Sequence, residues 1–387
     1  MTATQTHRTE LCPDVLEAAP PTAGLAHVLA LASYYLAPDG TKTGSLGLLR
    51  AAGGASPITP LCSAPAAAVF DARWAPHPAG DATAPALLMS ATHGGCVGLH
   101  LASGGGGGGG GGAPSLAPLG GWALGGGAGG AELSALCCEW LERDAGSGGA
   151  RAAAGLSDGR LWAGALRGGG GGAEGDSWAA HSLRGVPSEV WCAAAKPEPA
   201  GARRTVLWSG GDDGVLRGWD LRAQGGGGGG GSGGATFASR AGAFGGGVTC
   251  ISWAPWGDWE HVAAVGSYDG KLRLWDDRRV GGAEEPLAAL PLGGGVWRVK
   301  WRDGGGGGGG GGGWRAGRAL AVAAMYGGAR VVALDGGAAA APLPAAALAY
   351  TGHGEGSITY GVEWVGEGAD AAVATCAFYE REVHVWA

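Results

Sequence analysis

Ser209-Gly-Gly-Asp-Asp-Gly-Val-Leu-Arg-Gly-Trp-Asp220 aligns without gaps on Val265-Gly-Ser-Tyr-Asp-Gly-Lys-Leu-Arg-Leu-Trp-Asp276. Each stretch reads as a strand that ends in a tight Asp-Gly turn and returns as an alternating strand closing on Trp-Asp, a hairpin with the WD signature. Upstream lie further short strands, most of them ending in Trp: Phe70-Asp-Ala-Arg-Trp74, Leu136-Cys-Cys-Glu-Trp140, Thr249-Cys-Ile-Ser-Trp253, Trp297-Arg-Val-Lys-Trp301 and Tyr360-Gly-Val-Glu-Trp364. Their shared spacing puts first and last residues on one side of a period-2 strand.

Pairing each such strand with the hairpin after it gives seven units, with hairpins near 27–50, 87–102, 151–165, 205–222, 261–278, 319–334 and 371–386. Seven units of about 40 to 45 residues need about 300 residues. The last unit stops at Trp386, so its fourth strand has to come from elsewhere, and residues 4–10 are available to close the ring. The expected fold is all-β, a single seven-bladed WD-repeat β-propeller over 1–387, which leaves few strand edges exposed.

Composition first pulls against an ordered chain: 86 of 387 residues are Gly and 20 are Pro, a level that raises low complexity. The 45% of hydrophobic residues and 17 Trp answer it, because a disordered chain carries far less apolar surface. The main glycine runs, 104–112, 168–172, 225–231 and 304–313, follow third strands or precede a second strand. In a propeller both connections lie underneath, so the runs are expected as tolerated coil away from the working face. A net charge of −7 gives no basic footprint for nucleic acid. No apolar stretch is long enough to cross a bilayer, and Met1 to Glu10 lacks the apolar core of a signal peptide. A soluble, cytoplasmic monomer is expected. The eight Cys form no C-x-x-C pair, which favours reduced thiols over a zinc site or disulfides; no metal or cofactor is expected.

The top face carries different chemistry. Asp158, Asp213, Asp269 and Glu380 fall at the hairpin turn position, where an acid ties the turn to its neighbours. The position before them faces the central opening and holds His93, Ser157, Asp212, Tyr268, Tyr326 and Tyr379. The first residues of the inner strands face it too: Phe70, Leu136, Trp191, Thr249, Trp297 and Tyr360. Four of the chain's seven Tyr and two Trp therefore converge on one mouth. Aromatics can simply pack between blades, but this group with Asp212 suits a methylated cation through cation–π attraction. Two G-x-S-x-G matches, at Gly155 and Gly230, lie on a hairpin and in a glycine run, whereas a nucleophile elbow needs a strand-to-helix turn.

From Trp178 to Trp386 the sequence resembles the diphthine methyl ester hydrolases of the diphthamide pathway, WD-repeat proteins also called diphthine methyltransferases. The resemblance rests on Trp178-Ala-Ala-His181, Glu189-Val-Trp191, Trp208 to Asp220, Gly266-Ser-Tyr-Asp269, Gly294-Gly-Val-Trp-Arg-Val-Lys-Trp301, Tyr360 to Trp364 and Ala374-Thr-Cys-Ala-Phe-Tyr379. The first half matches loosely, at Thr9 to Leu16, Ala30 to Leu36 and Phe70 to Trp74. Arg184 to Ser188 lengthens the spacing between the His and the E-x-W pair. The resemblance implies removal of the methyl ester from diphthine, the modified histidine of translation elongation factor 2, with release of methanol. Diphthine's trimethylammonium group fits the aromatic mouth. On this reading Asp212, with His181 or Glu189, is the expected general base toward water, and backbone amides around Gly210 and Gly211 are expected to hold the oxyanion. Trp191, Tyr268, Trp297, Tyr326, Tyr360 and Tyr379 are the expected binding residues. Asp212 could equally only cap its turn. A non-catalytic interaction scaffold and a methylammonium reader are the competing functions.

Overall fold

The Asp-Gly turns that decide the fold require a left-handed residue after the acid, and Gly214 and Gly270 supply it with φ of +66° and +78°. Around such turns the chain folds into seven four-stranded antiparallel sheets. The computed structural model describes residues 3–20, 24–53, 56–76, 85–104, 113–125, 132–143, 150–167, 172–198, 203–223, 234–279, 285–302, 317–335, 343–366 and 371–387. Among them there is no helix, hence none long and apolar enough to cross a membrane.

Blade 1 consists of Cys12–Ala18, Val28–Leu36, Lys42–Arg50 and Thr59–Ala67. Blade 2 is Val69–Trp74, Ala86–Thr92, Cys96–Ser103 and Ser115–Ala123, and blade 3 is Ala135–Arg143, Ala150–Leu156, Arg160–Leu166 and Ala173–Ala179. Blade 4 comprises Val190–Ala195, Val206–Gly211, Arg217–Asp220 and Phe237–Ala238. Blade 5 runs through Val248–Trp253, Val262–Ser267, Lys271–Asp276 and Ala288–Pro291, and blade 6 through Arg298–Arg302, Ala319–Ala323, Ala329–Asp335 and Leu343–Tyr350. Blade 7 takes Thr359–Val365, Ala372–Ala377 and Glu382–Trp386 from the end of the chain and Ala3–Arg8 from its beginning, with Arg8 opposite Glu382 and Ala3 opposite Trp386. The seven-bladed architecture and its closure by the first strand are as the sequence leads one to expect. The extra residues after His181 form a small hairpin of their own, Ser182–Leu183 with Val186–Pro187.

The core lies between blades. Seven hydrophobic clusters each join two neighbours, as where Leu16, Leu29 and Leu49 of blade 1 meet Ala374, Val383 and Val385 of blade 7. The Trp that ends a first strand staples its blade to the preceding one. Trp74, Trp140, Trp253, Trp301 and Trp364 donate Nε1–H to the carbonyls of Glu17, Arg73, Ala194, Ser252 and Lys300 at 2.9–3.3 Å. Each acceptor holds the matching place one blade earlier, so the indole satisfies a polar group without leaving the apolar seam.

Register places the two faces. First strands begin beside the hairpin tips, for instance Val190 opposite Gly211 and Val248 opposite Ser267. At the other end Ser103 faces Ser115, Leu166 faces Ala173 and Arg302 faces Ala319, the flanks of three glycine runs. Apart from Gly104 and Gly172, the runs 104–112, 168–172, 225–231 and 304–313 lie outside the described residues.

Candidate active site

A regular strand pair cannot turn consecutive side chains to one side, so a residue that must leave the ladder needs a bulge. The first strands of six blades break register at the same place, between Pro13 and Val15, Val69 and Asp71, Ala135 and Cys137, Val190 and Cys192, Val248 and Cys250, and Thr359 and Gly361. The skipped residues are Asp14, Phe70, Leu136, Trp191, Thr249 and Tyr360; blade 6 offers Trp297, just before its first strand. All seven line one central cavity of about 510 Å³, a volume that accommodates a small ligand or one modified side chain.

Aromatic rings occupy one arc of that wall. Trp191 meets Trp297 at 5.5 Å and Tyr268 at 6.4 Å, Tyr268 meets Trp297 at 5.9 Å, and Trp297 meets Tyr360 at 5.0 Å. The arc continues through Phe378 to Tyr34 and Phe70, with centroids 4.8–5.3 Å apart. Tyr379 stands edge-on to Phe378 at 5.1 Å, and both Tyr379 and Tyr326 are about two-thirds exposed on the rim. Burial raises the Tyr268 and Tyr360 phenols well above their ordinary range, so they stay neutral and present π-faces rather than charge. Sequence reasoning finds Trp191, Tyr268, Trp297 and Tyr360 but misses Tyr34 and Phe378, which lie in a second strand and a turn without a repeat signature.

Asp212 and Glu189 stand at the mouth, and the exposed Glu132 lines the same cavity beside Lys42. Asp212 is exposed and accepts the Trp191 indole N–H at 2.6 Å, and its amide donates to the Glu189 carbonyl at 3.1 Å. Glu189 is half-buried and lines the cavity. Burial, then the Asp212 charge, pushes its carboxyl up, partly offset by Lys42.

His181 does not join them. Its side chain is fully buried, with Nδ1 2.9 Å from Asp213 Oδ1 and Nε2 2.8 Å from Ser209 Oγ, and Ser209 Oγ also accepts the Trp219 indole N–H at 2.8 Å. Arg217 donates to the other Asp213 oxygen at 2.7 Å. Burial drives the His181 pKa down against the pull of Asp213, so the ring is held neutral. Both its nitrogens are spent on blade 4 itself, which corrects the expectation that it serves as a base. The small hairpin at 182–187 absorbs the added spacing that separates it from Glu189. Gly210 and Gly211 also fall outside the cavity. They are buried in their strand, where a Cβ on Gly210 would sit 2.3 Å from Val248 Cγ1 and one on Gly211 2.4 Å from the Glu189 carbonyl. They permit close packing and are not free oxyanion amides.

Beneath the aromatic arc the wall is ionic. Asp14 Oδ1 accepts the Trp297 indole N–H at 3.3 Å, and its other oxygen lies 3.3 Å from Arg298, which also holds Asp71 at 2.8 Å and the Phe70 carbonyl at 3.0 Å. Burial outweighs Arg298 and pushes the Asp14 carboxyl up to about 6. Arg298 keeps one buried donor, Nε, with no hydrogen-bond partner among the described residues. Away from the cavity, His353, Glu382 and His384 bring ligand atoms within 4.8 Å of one another. The two rings stack at 4.0 Å with planes 17° apart, so their in-plane lone pairs run side by side instead of converging on an ion.

Fold and cavity together define a WD-repeat β-propeller with an aromatic, acid-rimmed central pocket. The family described as WD domain, G-beta repeat matches residues 239–276. In sequence the chain is similar to proteins named diphthine methyltransferase. It is 40% identical to that of Homo sapiens over 128 residues, 32% of this chain and 22% of the human one, and 38% identical to that of Mus musculus over 125 residues, 32% and 21% of the two chains. It is 27% identical to the diphthine methyltransferase homolog of Dictyostelium discoideum over 220 residues, 54% of this chain and 51% of that one. The matches thus span between about a fifth and a half of these curated relatives' length. A chain in the crystal structure of the mitotic checkpoint complex superposes with a TM-score of 0.61 at 13% identity, covering 100% of this chain and 94% of that one, and supports the fold alone.

Proposed function

We propose that the protein hydrolyses the methyl ester of diphthine on translation elongation factor 2, releasing methanol. The observation that carries the reading is the arc of Trp191, Tyr268, Trp297 and Tyr360 around a cavity rimmed by Glu189 and Asp212. A trimethylammonium cannot donate hydrogen bonds, so its recognition needs π-faces and nearby negative charge, which this arc and rim offer. The names of the relatives, which join a methyl group to diphthine, support the substrate class. Glu189 and Asp212 counter the ammonium charge, and the exposed Tyr326 and Tyr379 meet the carrier protein around the inserted side chain. Water is the only co-substrate.

The test is to incubate purified protein with elongation factor 2 bearing the methylated modification, following by mass the loss of one methyl and assaying methanol. Many turnovers per protein molecule are expected. Stoichiometric binding without methanol would instead mark the propeller as an interaction scaffold, the reading that the exposed tyrosines of the rim favour. Binding of trimethyllysine peptides as tight as that of the modified factor would mark a general methylammonium reader.

A further inference from the structure

The ring of six skipped residues and Trp297, namely Asp14, Phe70, Leu136, Trp191, Thr249, Trp297 and Tyr360, contains a single carboxylate, and it is contributed by blade 1. Within the proposed reaction the substrate sets a tight constraint. The quaternary nitrogen and the ester carbonyl share one carbon, so the reacting carbon lies about 2.5 Å from the nitrogen. The group that activates water must therefore stand within a few ångström of the cage. Asp212 is on the rim, exposed, with an oxygen engaged by Trp191. Asp14 instead lines the cavity itself, with one oxygen on the Trp297 indole and the other beside Arg298.

We propose that Asp14 is the general base of this hydrolysis, a role that rests on the function proposed above. Its carboxylate takes a proton from water as the water oxygen bonds to the ester carbonyl carbon, and the carbonyl π pair moves onto oxygen. When that pair returns, the carbon–methoxy bond breaks, and Asp14 passes the proton to the departing methoxide. Acid and methanol are the products, and Asp14 ends as it began. Arg298, which lines the same cavity, supplies positive charge for the oxyanion. Because Arg298 is also held by Asp71, the guanidinium stays in place while Asp14 is protonated.

The charged and titratable groups around Asp14 come from five blades: Tyr34 and Glu17 from blade 1, Asp71 and Arg73 from blade 2, Tyr268 from the hairpin of blade 5, Arg298 and Lys300 from blade 6, and Tyr360, Glu363 and Cys376 from blade 7. Burial above all, opposed by Arg298 and reinforced by Asp71, leaves the carboxyl at about 6, suited to exchanging a proton near neutral pH.

The experiment measures kcat and KM for methanol release from methylated elongation factor 2 with wild type, Asp14→Asn and Asp14→Glu. Asp14→Asn is expected to lower kcat by about 10²- to 10⁴-fold with KM within about threefold, and Asp14→Glu to restore part of it. A kcat for Asp14→Asn within threefold of wild type overturns the assignment while the hydrolase reading stands. A wild type that binds the modified factor and releases no methanol overturns both. Should Asp14→Asn fail to fold, the wild-type pH profile decides. A kcat falling tenfold per unit below about pH 6 supports the assignment, and a profile flat to pH 5 overturns it.

Discussion

Asp212 and Asp213 are neighbours in sequence with identical side chains, yet they belong to two regions with opposite properties. Asp213 is sealed in blade 4, its side chain 2% exposed, shared between His181 and Arg217. Asp212 looks out on the mouth with the Trp191 indole as its partner. In the first region every polar atom answers another, and such a closed network is worth stability. In the second, faces and charges remain free for a visitor. The difference separates holding the blade together from meeting the substrate, although the residues involved alternate along a single hairpin.

The comparison breaks most visibly at His181. His181→Ala removes one partner from Ser209 Oγ, which keeps the Trp219 indole, and one from Asp213 Oδ1, which keeps the Val215 amide, and is expected to cost about 2 kcal/mol of stability with kcat per folded molecule unchanged; urea unfolding and active-site-normalised rates would measure it. A proportional loss of kcat in fully folded protein would erase the distinction. The sign with pH follows from burial. The folded-state pKa of His181 lies below its ordinary value, so its contribution is present above that value and is lost as acid protonates the ring.

A smaller effect is expected at the mouth. Trp191→Leu should raise KM for the modified factor about tenfold, leaving the unfolding midpoint nearly where it was. Glu189→Gln should raise KM about threefold, in keeping with one partly screened charge. Its second signature is in stability. The folded-state pKa is raised, so the charge opposes folding at neutral pH and ceases to do so in acid; the variant should melt slightly above wild type at pH 7 and together with it near pH 4. Smallest of all, deleting 105–112 or 304–313 should leave kcat/KM within about twofold, because the flanking strands end opposite the mouth. A large loss would place those segments on the working side.

The fold was legible because its signals are local and repeated. Asp-Gly turns, Trp-Asp strand ends and the four-residue spacing to a Trp each mark a blade without help from the others. The site was legible only where it rode on those marks. Asp14 escaped because its strand closes on Ala18, where five other blades place a Trp, and it lacks the Glu-x-Trp stretch that marks Trp191 in blade 4, whose strand also closes on an alanine, Ala195. His181 was misplaced for a different reason. A histidine ahead of a first strand reaches past its own small hairpin to the hairpin of the blade that follows, and only the folded blade shows that both nitrogens are used. Nor can alternation reveal a bulge, since the skipped residue keeps the period on paper and loses it in space.

Those skipped residues make the inner ring separable from the scaffold that holds it. Being excused from strand pairing, each can change identity without shifting the register of its blade. With Trp297, which precedes its strand, they spell a seven-letter word, Asp-Phe-Leu-Trp-Thr-Trp-Tyr, around the axis in blade order, and a different ligand would require respelling it while the blades stay as they are.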